Sequence, residues 1–165
     1  MSTPAAPAVK LLQRTLLDEL AHQARASPRG RAHHNIHLAA SELVQRFFVV
    51  ADRASYFRPH RHSAKSELAL VLRGGFDVLT FDAQGILTAR YAVGEDQPAM
   101  AFEMPRATWH TLIARCDASA FLEVKEGPYD PASASEFASW APAEGAPEAP
   151  QFLERLRTLT VGTSG

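Results

Sequence analysis

One cysteine, Cys116, is all that the 165 residues contain. That excludes an internal disulfide framework and any zinc site built from several thiolates, and it fits a reducing compartment such as the cytoplasm. Surplus charge is missing too. Lys and Arg number 17 against 18 Asp and Glu, for a formal net charge of -1, whereas a duplex binder needs a basic stripe on a clearly positive domain. No apolar run is long enough to span a bilayer. The opening residues could pass for a signal peptide, but Lys10, Arg14, Asp18 and Glu19 interrupt them too soon for a continuous apolar core. Neither nucleic acid nor membrane is therefore an expected partner. What remains is the composition of a soluble globular protein, 46% hydrophobic and 21% charged, at the length of one domain.

Val9, Leu12, Leu16 and Leu20 recur at helical spacing, so residues 9 to about 26 read as an amphipathic helix that ends at Ser27-Pro28-Arg29-Gly30. Residues 31–37 are polar and aperiodic and read as a loop or extended arm. From Val44 onward the texture is short runs rich in Val, Phe, Leu and Tyr, broken by Gly, Pro and Asp. Strands are expected near 44–51, 54–58, 67–73, 76–82, 87–93, 100–104, 110–115 and 119–125, with Asp82-Ala-Gln-Gly85 as a hairpin turn. Eight short strands without intervening helices predict an all-β sandwich or barrel, a jelly roll among them. Residues 128–150 are rich in Pro, Ala, Ser and Glu and read as a wrapping loop outside the sheet. Phe152, Leu153, Leu156 and Leu159 predict a short C-terminal helix. The resulting organisation is an N-terminal helix and arm over 1–38, a barrel over 39–130 and a wrapping tail over 131–165, in one structural domain. A single N-terminal helix is too little for a helix-turn-helix.

Two histidines separated by one residue on an extended chain point to the same face. His60-Arg61-His62 is such a pair, and Glu67 opens the next apolar strand, where a buried carboxylate is tolerated only when paired or metal-bound. His110 follows the turn at Pro105 and supplies a third imidazole. Three imidazoles and a carboxylate suit one divalent transition-metal ion: iron, manganese, nickel, cobalt or zinc. On spacing alone, four unrelated surface or hydrogen-bonded groups remain the alternative. On the strand 119–125, Phe121, Glu123 and Lys125 share one face, either towards the metal as acid, base or anion anchor, or outward as an ordinary ion pair. Tyr56, Arg58 and Trp109 flank the ligand segments, Trp109 being the better candidate for plain packing, and Arg61 should face away from its two neighbours. His33 and His34, adjacent in sequence, cannot share a strand face, so no second metal site is expected from them and His37; His37 alone could approach the first site as a hydrogen-bond partner. Cys116 reads as a half-buried thiol.

His60-x-His62, four residues, Glu67, six residues and Gly74 resemble the first cupin motif, and Pro105-x-Ala107-x-x-His110 resembles the second. Ala54 and Ala107 stand where those motifs carry glycine, and Ala114 where the second ends in asparagine. A closer resemblance, to the WbuC family of cupin-fold metalloproteins, rests on five segments. They are Gln45-Arg46, Tyr56 before Pro59-His60-Arg61-His62, Trp109-His110-Thr111, Glu123-Val-Lys-Glu-Gly-Pro-Tyr-Asp130 and Phe137 to Gly145. The resemblance implies a β-jelly roll holding one metal through His60, His62, Glu67 and His110, in proteins linked to surface-polysaccharide gene clusters. The expected function is that of a metalloenzyme acting on a small polar substrate, carbohydrate or nucleotide-sugar by family association. Glu123, Lys125 and Tyr56 are the candidate catalytic groups, and an isomerase or epimerase the leading reaction type. An iron(II) dioxygenase and a non-catalytic metal-dependent binding protein are the alternatives, and a homodimer is left open.

Overall fold

The computed structural model describes residues 9–165. Its elements are α1 (Thr15–Ala26), β1 (Arg31–Asn35), β2 (Val44–Ala51), β3 (His60–Arg61), β4 (Glu67–Arg73), β5 (Gly75–Phe81), β6 (Leu87–Gly94), β7 (Ala101–Met104), β8 (Trp109–Ala114), β9 (Ser119–Glu126), β10 (Glu136–Phe137) and α2 (Ala149–Thr158). The strands pair antiparallel in two five-stranded sheets, ordered β1-β2-β9-β4-β7 and β10-β3-β8-β5-β6. This is an all-β jelly roll flanked by two helices. Among the described residues no helix is long and apolar enough to cross a membrane.

Period-two alternation sends each strand's residues to two different cores. Val49, Val71, Phe76, Val78, Leu112 and Phe121 meet between the sheets. Phe48, Val50 and Ala120 turn outward beneath Leu17, Leu20 and Ala21 of α1. Leu79 and Ile113 turn outward on the other sheet, beneath Phe152, Leu153 and Leu156 of α2. A strand buried on both faces loses visible alternation, which is why residues 47–51 read as an unbroken apolar run.

Several expectations need correction. The helix begins at Thr15 rather than residue 9, and Val9 and Leu11 are exposed. Its buried side is Leu17, Leu20, Ala21 and Ala24, a face rotated from the expected stripe, because the sheet is met along that line. Residues 54–58 form no strand. The polar arm contains β1, hydrogen-bonded to β2 from Arg31↔Ala51 to Asn35↔Phe47; its inner face is polar because it lines a cavity rather than a core. The tail does join a sheet, through β10 against β3. Cys116 is exposed rather than half-buried.

Ala107 explains the glycine of the second motif. Its φ is +59°, in the left-handed region that costs an L-residue, and its N–H donates to the His62 carbonyl at 2.8 Å. The turn that delivers His110 is thereby tied to the His60–His62 segment.

Candidate metal centre

The register places the three histidines together. His60 and His110 are direct partners across β3 and β8, and His62 lies two residues on, where the chain again points inward. The ring centroids are 4.5 Å apart for His60 and His110, 5.0 Å for His60 and His62, and 5.8 Å for His62 and His110. One nitrogen from each ring lies within 4.8 Å of the others.

The tautomers follow from the backbone. Each Nδ1 faces a carbonyl oxygen, which can only accept: His60 with Arg58 at 2.9 Å, His62 with Ala134 at 2.5 Å and His110 with Thr108 at 2.8 Å. The proton of a neutral ring is then on Nδ1, and the lone pair is on Nε2. Backbone anchoring of the remote nitrogen is how metal-ligating histidines are oriented.

Glu67 arrives from the opposite sheet. Its Oε1 is 3.0 Å from His110 Nε2 and its Oε2 is 3.1 Å from His62 Nε2, all of them buried. His62 Nε2 has no hydrogen-bond partner. Lone pairs aimed at one another at such distances are reconciled by protons or by one shared cation. Burial and the neighbouring His110 push the His60 imidazole down to about 3, which opposes the proton. Burial would raise the Glu67 carboxyl, but the His110 and His62 rings and Lys125 hold it well below the usual carboxylate range. Three imidazole nitrogens and an ionised carboxylate are a donor set that fits a divalent transition metal.

Behind Glu67 lies a second pair of charges. Lys125 is the register partner of Glu67 and Gln45, and Glu123 that of Ala69 and Phe47, so both side chains face between the sheets. Lys125 Nζ is 2.5 Å from Glu123 Oε1 and 3.6 Å from Glu67 Oε2. Burial and the charge of Glu67 raise the Glu123 carboxyl to about 8. Its proton is therefore held more tightly than that of an ordinary carboxyl.

His60, His110, Glu67, Glu123 and Lys125 line one cavity of about 560 Å³, with His62 buried behind them. Its apolar floor includes Phe47, Phe57, Leu112 and Phe121. Of the sequence-predicted site residues, His62 and Tyr56 do not line this cavity; His62 still meets the other two imidazoles, whereas Tyr56 does not. It packs edge-on against Phe152, its hydroxyl donates to the Pro142 carbonyl at 3.0 Å, and burial raises its phenol above the ordinary value. Tyr56 thereby joins the tail and α2 to the segment after β2, and its hydroxyl is directed to Pro142 rather than to the histidines. Arg61 faces away as expected, paired with Glu136 at 2.8 Å and stacked 4.6 Å over the Trp109 ring.

Sequence reasoning missed the wall supplied by β1. Arg31, His33 and Asn35 face the cavity at period two, whereas Ala32, two before His34, packs under α1. Burial and nearby Arg29 and Arg31 lower the His33 imidazole, so it too is neutral. His37 lines the same cavity and holds the Arg46 backbone through Nδ1, which accepts that N–H at 3.0 Å. The available signal was the alternation of polar residues at 31, 33 and 35.

Solved structures of similar shape place the fold. CapF bound to 3-isopropenyl-tropolone superposes with a TM-score of 0.57 at 16% identity, covering 67% of this chain and 32% of that one. Oxalate oxidase bound to glycolate gives 0.53 at 18% identity over 80% of this chain and 68% of that one. Protein SO0799 from Shewanella oneidensis gives 0.55 at 14% identity over 82% and 89%. The fold is that of a cupin. At these identities the shared property is the fold alone, and the chain spans about a third of the length of CapF. A family profile described as Domain of unknown function (DUF6016) matches residues 12–93, the segment that contributes His60, His62 and Glu67. Among curated proteins none matches the sequence.

Proposed function

We propose that this cupin holds one divalent transition-metal ion (iron, manganese, nickel, cobalt or zinc) through His60, His62, Glu67 and His110, and acts as a metalloenzyme on a small polar molecule. The observation that carries the reading is the convergence of three backbone-anchored imidazoles on an ionised carboxylate at the wall of an open cavity. When bound, such an ion polarises a hydroxyl or carbonyl of the substrate. The chain's own residues would do the rest. Glu123, its carboxyl raised above the ordinary range, lies beside the centre and would exchange a proton with a substrate oxygen or carbon. Lys125 favours the ionised form of both carboxyls, and it is burial and the charge of Glu67 that set Glu123 apart from Glu67. Proton transfer without net oxidation, as in an isomerase or epimerase, uses these parts most directly.

A carbohydrate or nucleotide-sugar substrate is supported by the WbuC-like motifs and by similarity of fold to CapF, described as a capsular polysaccharide assembling protein of Staphylococcus aureus. The test is metal analysis of the purified protein beside His60→Ala and His110→Ala. Wild type should carry about one ion per chain, and each variant should lose it while keeping its β-sheet circular dichroism, since the core is apolar. Retention of metal by both variants rejects the site.

A further inference from the structure

Four cations line the cavity, and three are matched by carboxylates. Arg29 and Arg31 share Glu144, and Lys125 lies between Glu67 and Glu123. Arg58 is the fourth, and among the described residues it makes no ion pair. A guanidinium has five N–H donors. Here one, on Nη2, reaches the Ala138 carbonyl at 2.8 Å, and Nε is buried with no acceptor. An Arg in open water would have all of its donors solvated. A buried donor without a partner is a cost; Nη1 also has no acceptor within the protein but is not closed off as Nε is, so it is the donor that a ligand in the cavity can reach.

Arg58 is also held in place. Its guanidinium lies 5.3 Å from the ring centroid of Phe137, which is 6.1 Å from the His60 ring and is itself 52% exposed at the cavity. Its carbonyl is the acceptor that orients His60. One short segment thus fixes a metal-binding nitrogen with its backbone and an uncommitted cation with its side chain.

We propose that Arg58 and Phe137 form a carboxylate subsite, so that the ligand of this cavity is bifunctional: oxygen donors at one end for the metal centre, and a separate carboxylate at the other on Arg58. The inference rests on the metal-centre reading above and adds the chemical class of the ligand. A single unmatched guanidinium fork suits a monoanionic carboxylate in charge and in geometry; a phosphate dianion would need a second free cation, and the others are already paired.

The test uses hydroxamates, whose head group chelates a divalent ion whatever the rest of the chain carries. Zinc-loaded protein is titrated calorimetrically with butyrohydroxamate and with succinate monohydroxamate, in which a carboxylate replaces the terminal methyl group. The valero and glutarate pair, one carbon longer, follows. In at least one pair the carboxylated probe should bind about tenfold or more tightly, the scale of a charge-assisted hydrogen bond. Arg58→Gln should erase that preference while leaving zinc stoichiometry and the affinity for the neutral probe unchanged. Equal binding of both members in both pairs overturns the subsite and leaves the metal centre standing, as does a preference that survives Arg58→Gln. No binding of any hydroxamate removes the metal centre, and the subsite with it.

Discussion

Replacing Glu123 by Gln should change how stability depends on pH, and the size of the change follows from the burial of one carboxyl. In the folded protein Glu123 titrates at about 8, because burial and the charge of Glu67 oppose its ionisation; in the unfolded chain it titrates near 4.5. Between those values the folded state holds a proton that the unfolded state has lost. The contribution of Glu123 to stability is therefore complete below pH 4.5 and is lost as pH rises towards 8, at roughly 1.4 kcal/mol per pH unit. Gln has no proton to lose. From pH 5 to pH 7 the variant should gain about 2.7 kcal/mol on the wild type by the same slope. His60 works in the opposite sense. Burial keeps it neutral down to about 3, so between 3 and 6.5 the unfolded chain binds the extra proton and stability falls with acidification. In wild type the two slopes offset each other between about pH 4.5 and 6.5; in the variant the His60 slope stands uncovered, and stability should climb from pH 5 to 6.5. The assay is urea unfolding of both proteins, stripped of metal with a chelator, at half-unit steps of pH. A gap between them that stays constant to within about 0.5 kcal/mol, the scatter of ordinary surface substitutions, would mean that Glu123 is ionised in the fold. Its role in proton exchange would then be refuted.

Tyr56→Phe should cost about 1 kcal/mol, the usual worth of one hydrogen bond, through loss of the contact to Pro142. Metal content and probe affinity should be unchanged, and a loss of either would return Tyr56 to the site. Ala107→Gly should raise the unfolding midpoint by relieving a left-handed alanine, a strain of about 1–2 kcal/mol offset in part by the greater backbone freedom of glycine in the unfolded chain. A lower midpoint would show that the turn tolerates the Cβ without strain.

Local pattern alone accounts for a good part of this molecule. β2 and β4 fall on the expected residues because runs such as Phe47-Phe48-Val49-Val50-Ala51 are too apolar and β-branched to be anything but buried strand. The inward set Phe121, Glu123 and Lys125 follows from the fixed period of two, which no tertiary contact can alter within a regular strand. The same rule puts His60 and His62 on one face.

Other features depend on which chain lies opposite, and no local pattern carries that. Two-residue strands such as β10 exist only because β3 is there to pair with. Tyr56 and Glu123 are both polar residues beside core positions, yet one meets a backbone carbonyl in the tail and the other a pair of charges in the cavity. The raised carboxyl of Glu123, the ionised one of Glu67 and the free guanidinium of Arg58 are likewise properties of neighbours distant in sequence. The sequence by itself determined the longer core strands, their faces and the residue types able to bind a metal, because periodicity and donor chemistry are local. Only the tertiary structure decided which of those groups share a cavity, since burial and charge pairing arise where two sheets close on each other.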